Sequence, residues 1–300
     1  MTFRINLRII CQLILLATSL SVGHGAWAIT VYTTNYPLAW FAEQIGGVHV
    51  DVHFPAPSDV DPVFWQPDAE TISAYQKADL ILLSGAGYYK WTESAFLPSS
   101  RLVDTSSGYA DRLLSSHGAG THSHGPEGDH SHSGTAWTTW LDFELAALQA
   151  GQVRDALTTL KPDAQDTFDS NYEKLQSTLK ELDGEMLKLS LISLRSEGLL
   201  ASHPIYQYPG YRYGLDIISV TWEPDVFPEE EQWSQLEKLS RKHGLSKMLW
   251  ESPPLEDTAS RLEEMGITVI VFNPAGNVPD SGDWLTVMQA NITNLKNHSN

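Results

Sequence analysis

The chain has almost no cysteine. Its 300 residues contain one, Cys11, within an apolar stretch near the N terminus. The residues before Cys11 lack the Leu-small-small pattern of a lipoprotein signal, so we expect no lipid anchor. Downstream of it there is no thiol, which excludes a disulfide framework, a thiolate metal site and a cysteine nucleophile there.

Basic residues are also scarce. Lysine and arginine together number 19 against 37 aspartates and glutamates, and the formal net charge is −18. A chain of this charge repels nucleic acid and anionic membrane surfaces, so we expect neither as a partner. The same charge is compatible with a cationic ligand.

No apolar run reaches the length of a membrane span. The longest apolar stretch, 9–22, falls short of the roughly 18 residues that a spanning helix needs. It follows Arg4 and Arg8 and precedes Ala26-Trp27-Ala28, which is typical of a secretory signal peptide. We therefore predict a cleaved leader at residues 1–28 and a periplasmic location.

Common catalytic and nucleotide-binding motifs are missing as well. The sequence contains no Gly-x-Ser-x-Gly elbow and no His-Glu-x-x-His pair, which mark many hydrolases and metalloproteases. The glycines after residue 84 do not form a phosphate-binding pattern. We expect a binding protein and not an enzyme.

One long amphipathic helix is predicted over residues 163–189. At 1.5 Å per residue this helix would be roughly 40 Å long. Pro162 and Asp163 suit its first turn. Its apolar residues recur at spacings of three and four, and they are Phe168, Tyr172, Leu175, Leu179, Leu182, Met186 and Leu189.

On both sides of this helix, short apolar runs alternate with helical patterns. This alternation predicts parallel strands with right-handed crossovers. The fold class is therefore α/β, with two lobes that each hold a mostly parallel sheet flanked by helices, joined by one long helix. We place the N-terminal lobe at 29–160, the linking helix at 163–189 and the C-terminal lobe at 190–300.

A histidine-rich loop interrupts the N-terminal lobe at about 106–134. Five histidines lie between residues 117 and 132, together with Glu127 and Asp129. Neutral imidazoles on a glycine-rich segment can gather Zn²⁺, Cu²⁺ or Ni²⁺. Four of them form two His-Ser-His motifs and are candidate metal ligands, namely His122, His124, His130 and His132.

Further candidates lie at strand ends, where parallel sheets bind their ligands. His203 ends one predicted strand and is a candidate metal ligand. The residues that would line a cleft between the lobes are Asp61, Val63, Trp65, Thr138, Trp140, Trp222, Glu251 and Asn273.

The sequence around several of these positions resembles that of a known protein family. The chain is similar to the solute-binding proteins of ABC importers that capture zinc or manganese in the periplasm. The order of elements, the linking helix and the histidine-rich insertion all match. The local matches are Asp61-Pro62, Trp140-Leu-Asp142, Ser202-His203-x-x-Tyr206-x-Tyr208, Tyr213-Gly214-Leu215 and Trp250-Glu251.

The resemblance implies Zn²⁺ as ligand, with Mn²⁺ or another divalent metal as the alternative, and an ABC permease in the inner membrane as partner. The sequence gives no sign of obligate oligomerisation, and we expect a monomer. The family pattern places four metal ligands at positions that here hold Val63, Thr138, His203 and Asn273. Valine cannot bind a metal, and threonine and asparagine are weak neutral donors. Only His203 matches the inherited ligand set.

Three interpretations stay open on the sequence. The metal site could use His203 with nearby acids among Asp59, Asp61, Glu223, Asp225 and Glu251. The cleft could instead bind an organic ligand or a metal chelate between aromatic walls, since the chain has ten tryptophans. A third interpretation is a periplasmic metal buffer or chaperone that uses the histidine-rich loop without a transport role.

Overall fold

Two four-stranded parallel sheets form the frame of the protein. Helices flank both sheets and one long helix joins them, which confirms the predicted fold class. Within the residues that are described, no helix is both long and apolar enough to cross a membrane. The computed structural model describes residues 27–116, 121–123, 129–131, 134–192 and 194–299.

The first sheet and the helices around it are named the N-lobe here. Its strand order is β2-β1-β3-β4. The third strand, Leu-Ile-Leu-Leu, is almost entirely buried, as expected for a parallel strand covered on both faces. The elements of this lobe are β1 (Ile29–Thr33), α1 (Tyr36–Gly46), β2 (Val50–His53), α2 (Ala69–Lys77), β3 (Leu80–Leu83), α3 (Trp91–Ser94) and β4 (Leu102–Asp104).

The histidine-rich segment contributes a short antiparallel ribbon. Its strands are β5 (Thr121–Ser123) and β6 (Asp129–Ser131). His122 lies opposite His130 in this pairing. The other candidate histidines of the segment, His124 and His132, lie outside the described residues.

The last N-lobe helix is α4 (Phe143–Leu160). Trp140 lies in a short 3-10 turn just before it. The helix begins after Asp142 because that carboxylate accepts hydrogen bonds from the backbone N–H groups of Glu144 (2.9 Å) and Leu145 (3.2 Å). These bonds satisfy donors that have no partner inside the helix.

The linking helix α5 spans Gln165–Ile192, close to the predicted 163–189. A short 3-10 turn, Pro162–Ala164, precedes it. Six of the seven predicted stripe residues are buried. The seventh, Tyr172, is partly buried, and its hydroxyl donates to the carbonyl of Ala147 in α4 at 3.3 Å. The helix is therefore held by tertiary packing along most of its length.

The second sheet and its helices are named the C-lobe. Its strand order is β10-β9-β7-β8. Successive residues of β7 and β9 face opposite sides, so Leu199 and Leu249 join one apolar cluster while Leu200 and Met248 join another. The elements are β7 (Leu199–Ala201), α6 (Gln207–Tyr213), β8 (Ile217–Ser219), α7 (Glu230–His243), β9 (Lys247–Trp250), α8 (Glu256–Glu264), β10 (Thr268–Val271) and α9 (Trp284–Asn297).

Helix α6 was not predicted. Its sequence contains Pro209 and Gly210, both poor helix formers in a helix interior. The helix forms because tertiary contacts override this propensity. Tyr208 and Tyr213 are buried, and the Tyr213 hydroxyl accepts a hydrogen bond from the N–H of Phe143 at 3.3 Å.

The two lobes are packed against each other through one continuous core. A single apolar cluster contains Leu82 of the first sheet, Leu179 of α5 and Leu199 of the second sheet. The C-terminal helix takes part, since the Trp284 ring lies 5.2 Å from that of Trp40 in α1. The lobes therefore share buried surface and are not joined by α5 alone.

The linking helix provides a matched test of this packing. Leu179 is fully buried, whereas Leu191 on the same helix is 68% exposed. Leu179→Ala should lower the free energy of unfolding by about 2–4 kcal/mol because it removes buried methyl groups and leaves a cavity. Leu191→Ala should change it by less than about 0.5 kcal/mol. Urea denaturation measures both, and equal effects would show that α5 is not anchored as described.

Candidate metal-binding site

The four strands of the C-lobe sheet end at one edge. Polar side chains lie within four residues of the ends of β10, β9, β7 and β8, namely Asn273, Glu251, His203 and Glu223. Backbone hydrogen bonds hold these strand ends in register, with Ser202 N–H donating to Leu249 O at 2.9 Å and Trp222 N–H donating to Ser202 O at 2.7 Å. Parallel strands thus bring residues from distant parts of the sequence to one edge.

Three of these residues form a compact group. One ligand atom from each of His203, Glu223 and Glu251 lies within 4.8 Å of the other two. His203 Nε2 lies 3.7 Å from a carboxylate oxygen of Glu223, and His203 Nδ1 lies 3.5 Å from one of Glu251. In a tetrahedral Zn²⁺ site with bonds of about 2.0–2.2 Å, neighbouring donor atoms are about 3.4 Å apart. The two distances above start from opposite ring nitrogens of His203, and a single ion can bind only one of them. The three ligand atoms, which now lie within 4.8 Å of one another, would therefore have to move closer together to hold Zn²⁺.

The electrostatics of this group are unfavourable without a cation. Burial raises the pKa of Glu251 from its usual 4.5 to about 8, and the nearby charges of Asp61 and Glu223 add to this shift. His203 is itself buried, with only 6% of its surface exposed. A divalent cation would remove the repulsion between the carboxylates and compensate for their lost hydration.

A cavity of about 650 Å³ opens in front of these residues. The N-lobe forms its other wall, through the loop at 58–64, Tyr88, and residues 137, 138 and 140. Asn277 of the C-lobe holds this loop, because its side-chain amide donates to Pro57 O (2.7 Å) and Val60 O (2.8 Å). The cavity therefore lies between the lobes and has a fixed rim.

The cavity lining carries many acids. Among the lining residues that the structure describes there is no lysine or arginine. Besides Tyr88, the titratable groups are His203 and the acids Asp59, Asp61, Glu223, Asp225, Glu251 and Asp280. Such a lining attracts cations and repels anions.

The structure brings most of the predicted cleft residues to this cavity. The four positions of the inherited ligand pattern, Val63, Thr138, His203 and Asn273, all line it, as do Asp61, Trp140 and Glu251. Thr138 has its hydroxyl bonded to Ile205 O at 2.5 Å. Asn273 accepts a hydrogen bond from Ala275 N–H at 2.7 Å. These two side chains therefore already have partners within the protein.

Two predicted cleft tryptophans lie elsewhere. Trp65 packs edge-on against Trp91, with 6.3 Å between ring centroids. Trp222 is 3% exposed and packs against Trp233 at 4.8 Å and Trp250 at 6.3 Å. For Trp222 the reason is that successive side chains of an extended chain point to opposite sides. Because the neighbouring residue, Glu223, faces the cavity, Trp222 faces the core.

The sequence reasoning did not identify Tyr88 or Asn277 as cavity residues. Tyr88 follows β3 and the turn Gly85–Gly87, so its place after a strand end was a usable signal. Asn277 lies in an irregular segment after β10 and contacts a loop more than 200 residues away. No local pattern could have indicated that contact.

Comparison of the sequence with known proteins finds similarity to proteins named for zinc uptake or zinc binding. The model of the ZnuA family, described as "Zinc-uptake complex component A periplasmic", matches residues 31–298. The zinc-binding lipoprotein AdcA of Streptococcus pneumoniae strain R6 is 24% identical over 298 residues, which cover 96% of this chain and 59% of that protein. The high-affinity zinc uptake system protein ZnuA of Bacillus subtilis is 24% identical over 291 residues, covering 89% and 86%.

Solved structures share the fold. The metal-dependent lipoprotein YcdH of B. subtilis superposes with a TM-score of 0.77 at 22% identity, covering 91% of this chain and all of that one. The Zn(II)-bound ZnuA-like domain of S. pneumoniae AdcA gives the same TM-score at 20% identity, covering 91% and 99%. The chain thus spans about three fifths of full-length AdcA and almost exactly its ZnuA-like domain.

The partly buried side chain of Glu251 gives a test of the site that needs no metal. Glu251→Gln should raise the free energy of unfolding of the metal-free protein by about 1–3 kcal/mol at pH 8, because it removes a buried charge and one pKa unit is worth about 1.4 kcal/mol. The gain should grow as the pH rises from about 5 to about 8, since the folded wild type holds a proton that the unfolded chain has lost.

Thermal and urea denaturation in the presence of a chelator measure this gain. The control is Glu263→Gln on the exposed face of α8, which should stay within about 0.5 kcal/mol of wild type at every pH. A Glu251→Gln protein that is less stable than wild type would contradict the electrostatic description of the site.

Proposed function

The chain belongs to the ZnuA family of periplasmic zinc-uptake components, and we propose that it captures Zn²⁺ in the periplasm and delivers it to an ABC importer. The observation that supports this most directly is the convergence of His203, Glu223 and Glu251 at the strand ends of the C-lobe. One imidazole and two carboxylates are a suitable donor set for Zn²⁺, with Mn²⁺ as the competing ion.

In this proposal the three side chains are the protein ligands of the cargo ion. The neutral imidazole of His203 supplies one bond, and the two carboxylates neutralise the charge of the ion. The order of the strands keeps the three donors on one rigid edge, so little conformational entropy is lost when the ion binds. The other lining acids raise the local concentration of cations at the cavity mouth.

Several features of the proposal come from the sequence and its resemblance to the family. They are export by a cleaved leader at residues 1–28, a monomeric state and an inner-membrane ABC permease as partner. The expected absence of a lipid anchor conflicts with the name of AdcA, a zinc-binding lipoprotein, and is not part of the proposal. The proposed domain limits are those given above. AdcA, named a zinc-binding lipoprotein, and ZnuA, named a high-affinity zinc uptake system protein, support the metal and the process.

The site residues are tested by titrating the mature protein with Zn²⁺ in a calorimeter. His203→Ala and Glu251→Gln should each weaken the tight site by about 100-fold or more, because three protein ligands are the minimum for a stable zinc site. The matched control is His243→Ala, since His243 is exposed at the end of α7 and lies outside the cavity lining. It should leave the affinity unchanged.

Wild-type affinity in both site variants would contradict the proposed site. The delivery step needs a separate readout, which is growth on limiting zinc. A strain that carries His203→Ala in place of the wild-type gene should grow as poorly as a deletion strain, whereas His243→Ala should restore growth. Growth of the deletion strain at the wild-type rate would favour a buffer over a transport component.

The histidine-rich segment is proposed to gather zinc for the cavity. Its ordering cost makes binding weak, and protons compete near the usual histidine pKa of about 6.5. In a zinc titration the segment should bind additional Zn²⁺ ions weakly, beside the one ion bound tightly in the cavity; these are called the weak and the tight equivalents. Replacing His117, His122, His124, His130 and His132 with serine should remove the weak equivalents and leave the tight one. Deletion of 117–133 should act in the same way.

Calorimetry at pH 8 and pH 5.5 measures these equivalents. In the wild type the weak equivalents should disappear at the lower pH because the imidazoles are protonated there. Loss of all zinc binding in the serine variant would instead assign the function to the segment and contradict the cavity site.

A further inference from the structure

A short segment of the C-lobe is hydrogen-bonded to the N-lobe at three places. It follows β10, spans residues 274–277 and is called the clasp here. The Pro274 carbonyl accepts a hydrogen bond from Trp140 Nε1 at 2.7 Å, and the Gly276 carbonyl accepts one from the Tyr36 N–H at 3.0 Å. Both bonds cross from one lobe to the other beside the cavity, whose lining includes these two clasp residues.

The third connection is made by the side chain of Asn277. Its amide nitrogen donates to Pro57 O at 2.7 Å and to Val60 O at 2.8 Å. These carbonyls belong to the first and last residues of a β-turn, since the Val60 N–H donates to Pro57 O at 3.2 Å. A side-chain amide carries two N–H donors. Asn277 therefore uses both of them to hold one turn of the opposite lobe.

This turn and the clasp meet at the mouth of the cavity. Asp59 in the turn and Asp61 just after it line the cavity and are exposed, so they lie at its mouth. Val278 and Asp280, which follow the clasp, are also exposed lining residues. His203 is buried and lies at the base. The hydrogen bonds between the turn and the clasp therefore join two sides of the mouth.

The turn also determines where part of the negative charge lies. Asp59 and Asp61 are the acids that the N-lobe contributes to the described lining, and the other lining acids come from the C-lobe. Asp61 is close enough to the C-lobe group for its charge to act on Glu251. A cation at that group is consequently stabilised by the N-lobe acids as long as the turn keeps its place.

We propose that Asn277 is a positioning residue for ion retention, which holds the turn at 57–60 across the cavity mouth and must release it before the ion leaves. This inference rests on the proposed zinc capture in the cavity. Two hydrogen bonds between neutral groups open at a small cost in free energy. The shared core between the lobes would stay intact during such a local opening.

The rate of zinc loss tests this. The mature protein is loaded with one equivalent of Zn²⁺ and mixed with an excess of chelator in a stopped-flow instrument. Asn277→Ala should release the tightly bound ion about tenfold faster or more, which corresponds to about 1.4 kcal/mol, because the open form of the mouth is more populated. The association rate should not fall, since an open mouth does not obstruct entry.

A second variant separates hydrogen bonding from charge. Asn277→Asp keeps the shape of the side chain, removes both donors and adds a negative charge to the lining. Charge alone would slow the loss of a cation, so faster release than in the wild type is expected only if the hydrogen bonds matter. The matched control is Asn294→Ala, which loses an amide bond to Val271 O (2.9 Å) within the C-lobe and should change the rate by less than about twofold.

Hydrogen–deuterium exchange of the metal-free protein reports on the turn without zinc. Asn277→Ala should increase exchange in peptides that cover residues 54–66. Exchange in α5 should stay as in the wild type, because the shared core is unchanged. A general loss of stability would instead increase exchange in both places.

The outcomes separate the two proposals. Zinc binding with equal release rates for the wild type and Asn277→Ala would overturn this inference and leave the proposed function intact. Slower release from Asn277→Asp than from the wild type would also overturn it, because charge and not hydrogen bonding would then govern retention. So would unchanged exchange at 54–66 in Asn277→Ala. A wild type that binds no zinc would overturn the proposed function, and this inference with it.

Discussion

The central physical constraint in this protein is the convergence of like charges at one edge of a sheet. Glu251 and Glu223 flank the buried His203, and Asp61 approaches from the other lobe. Carboxylates in such a place are costly unless a cation or protons accompany them. The acids therefore reduce the stability of the metal-free protein, and this cost is understandable if the group binds a cation.

The rest of the molecule keeps this group in place. The C-lobe strands fix the spacing of the three side chains, and the shared core prevents the two cavity walls from separating freely. Hydrogen bonds between the lobes reinforce this, such as Trp140 Nε1 donating to Pro274 O at 2.7 Å and Tyr36 N–H donating to Gly276 O at 3.0 Å. Metal release would accordingly need small local shifts and not a wide opening of the lobes.

The family pattern is retained in the frame more than in the ligands. The positions that hold Val63, Thr138 and Asn273 line the cavity as the resemblance implied. Their side chains are an apolar group and two neutral groups that already have partners in the protein. The candidate donors lie at neighbouring strand ends in the C-lobe, whereas the N-lobe side of the cavity combines Val63 and aromatic side chains with the acids Asp59 and Asp61.

The sequence by itself determined the elements with strong local patterns and the lack of a thiol downstream of Cys11. The stripe from Phe168 to Leu189 predicted α5 because helical periodicity is local, and the alternation of apolar runs with helical patterns predicted parallel strands such as β3 for the same reason. Tertiary structure alone decided which side chains share the cavity. Glu223 and Trp222 are neighbours in sequence but face opposite sides, and Asn277 bonds to a loop more than 200 residues away. Such choices depend on contacts between distant parts of the chain, which no local pattern encodes.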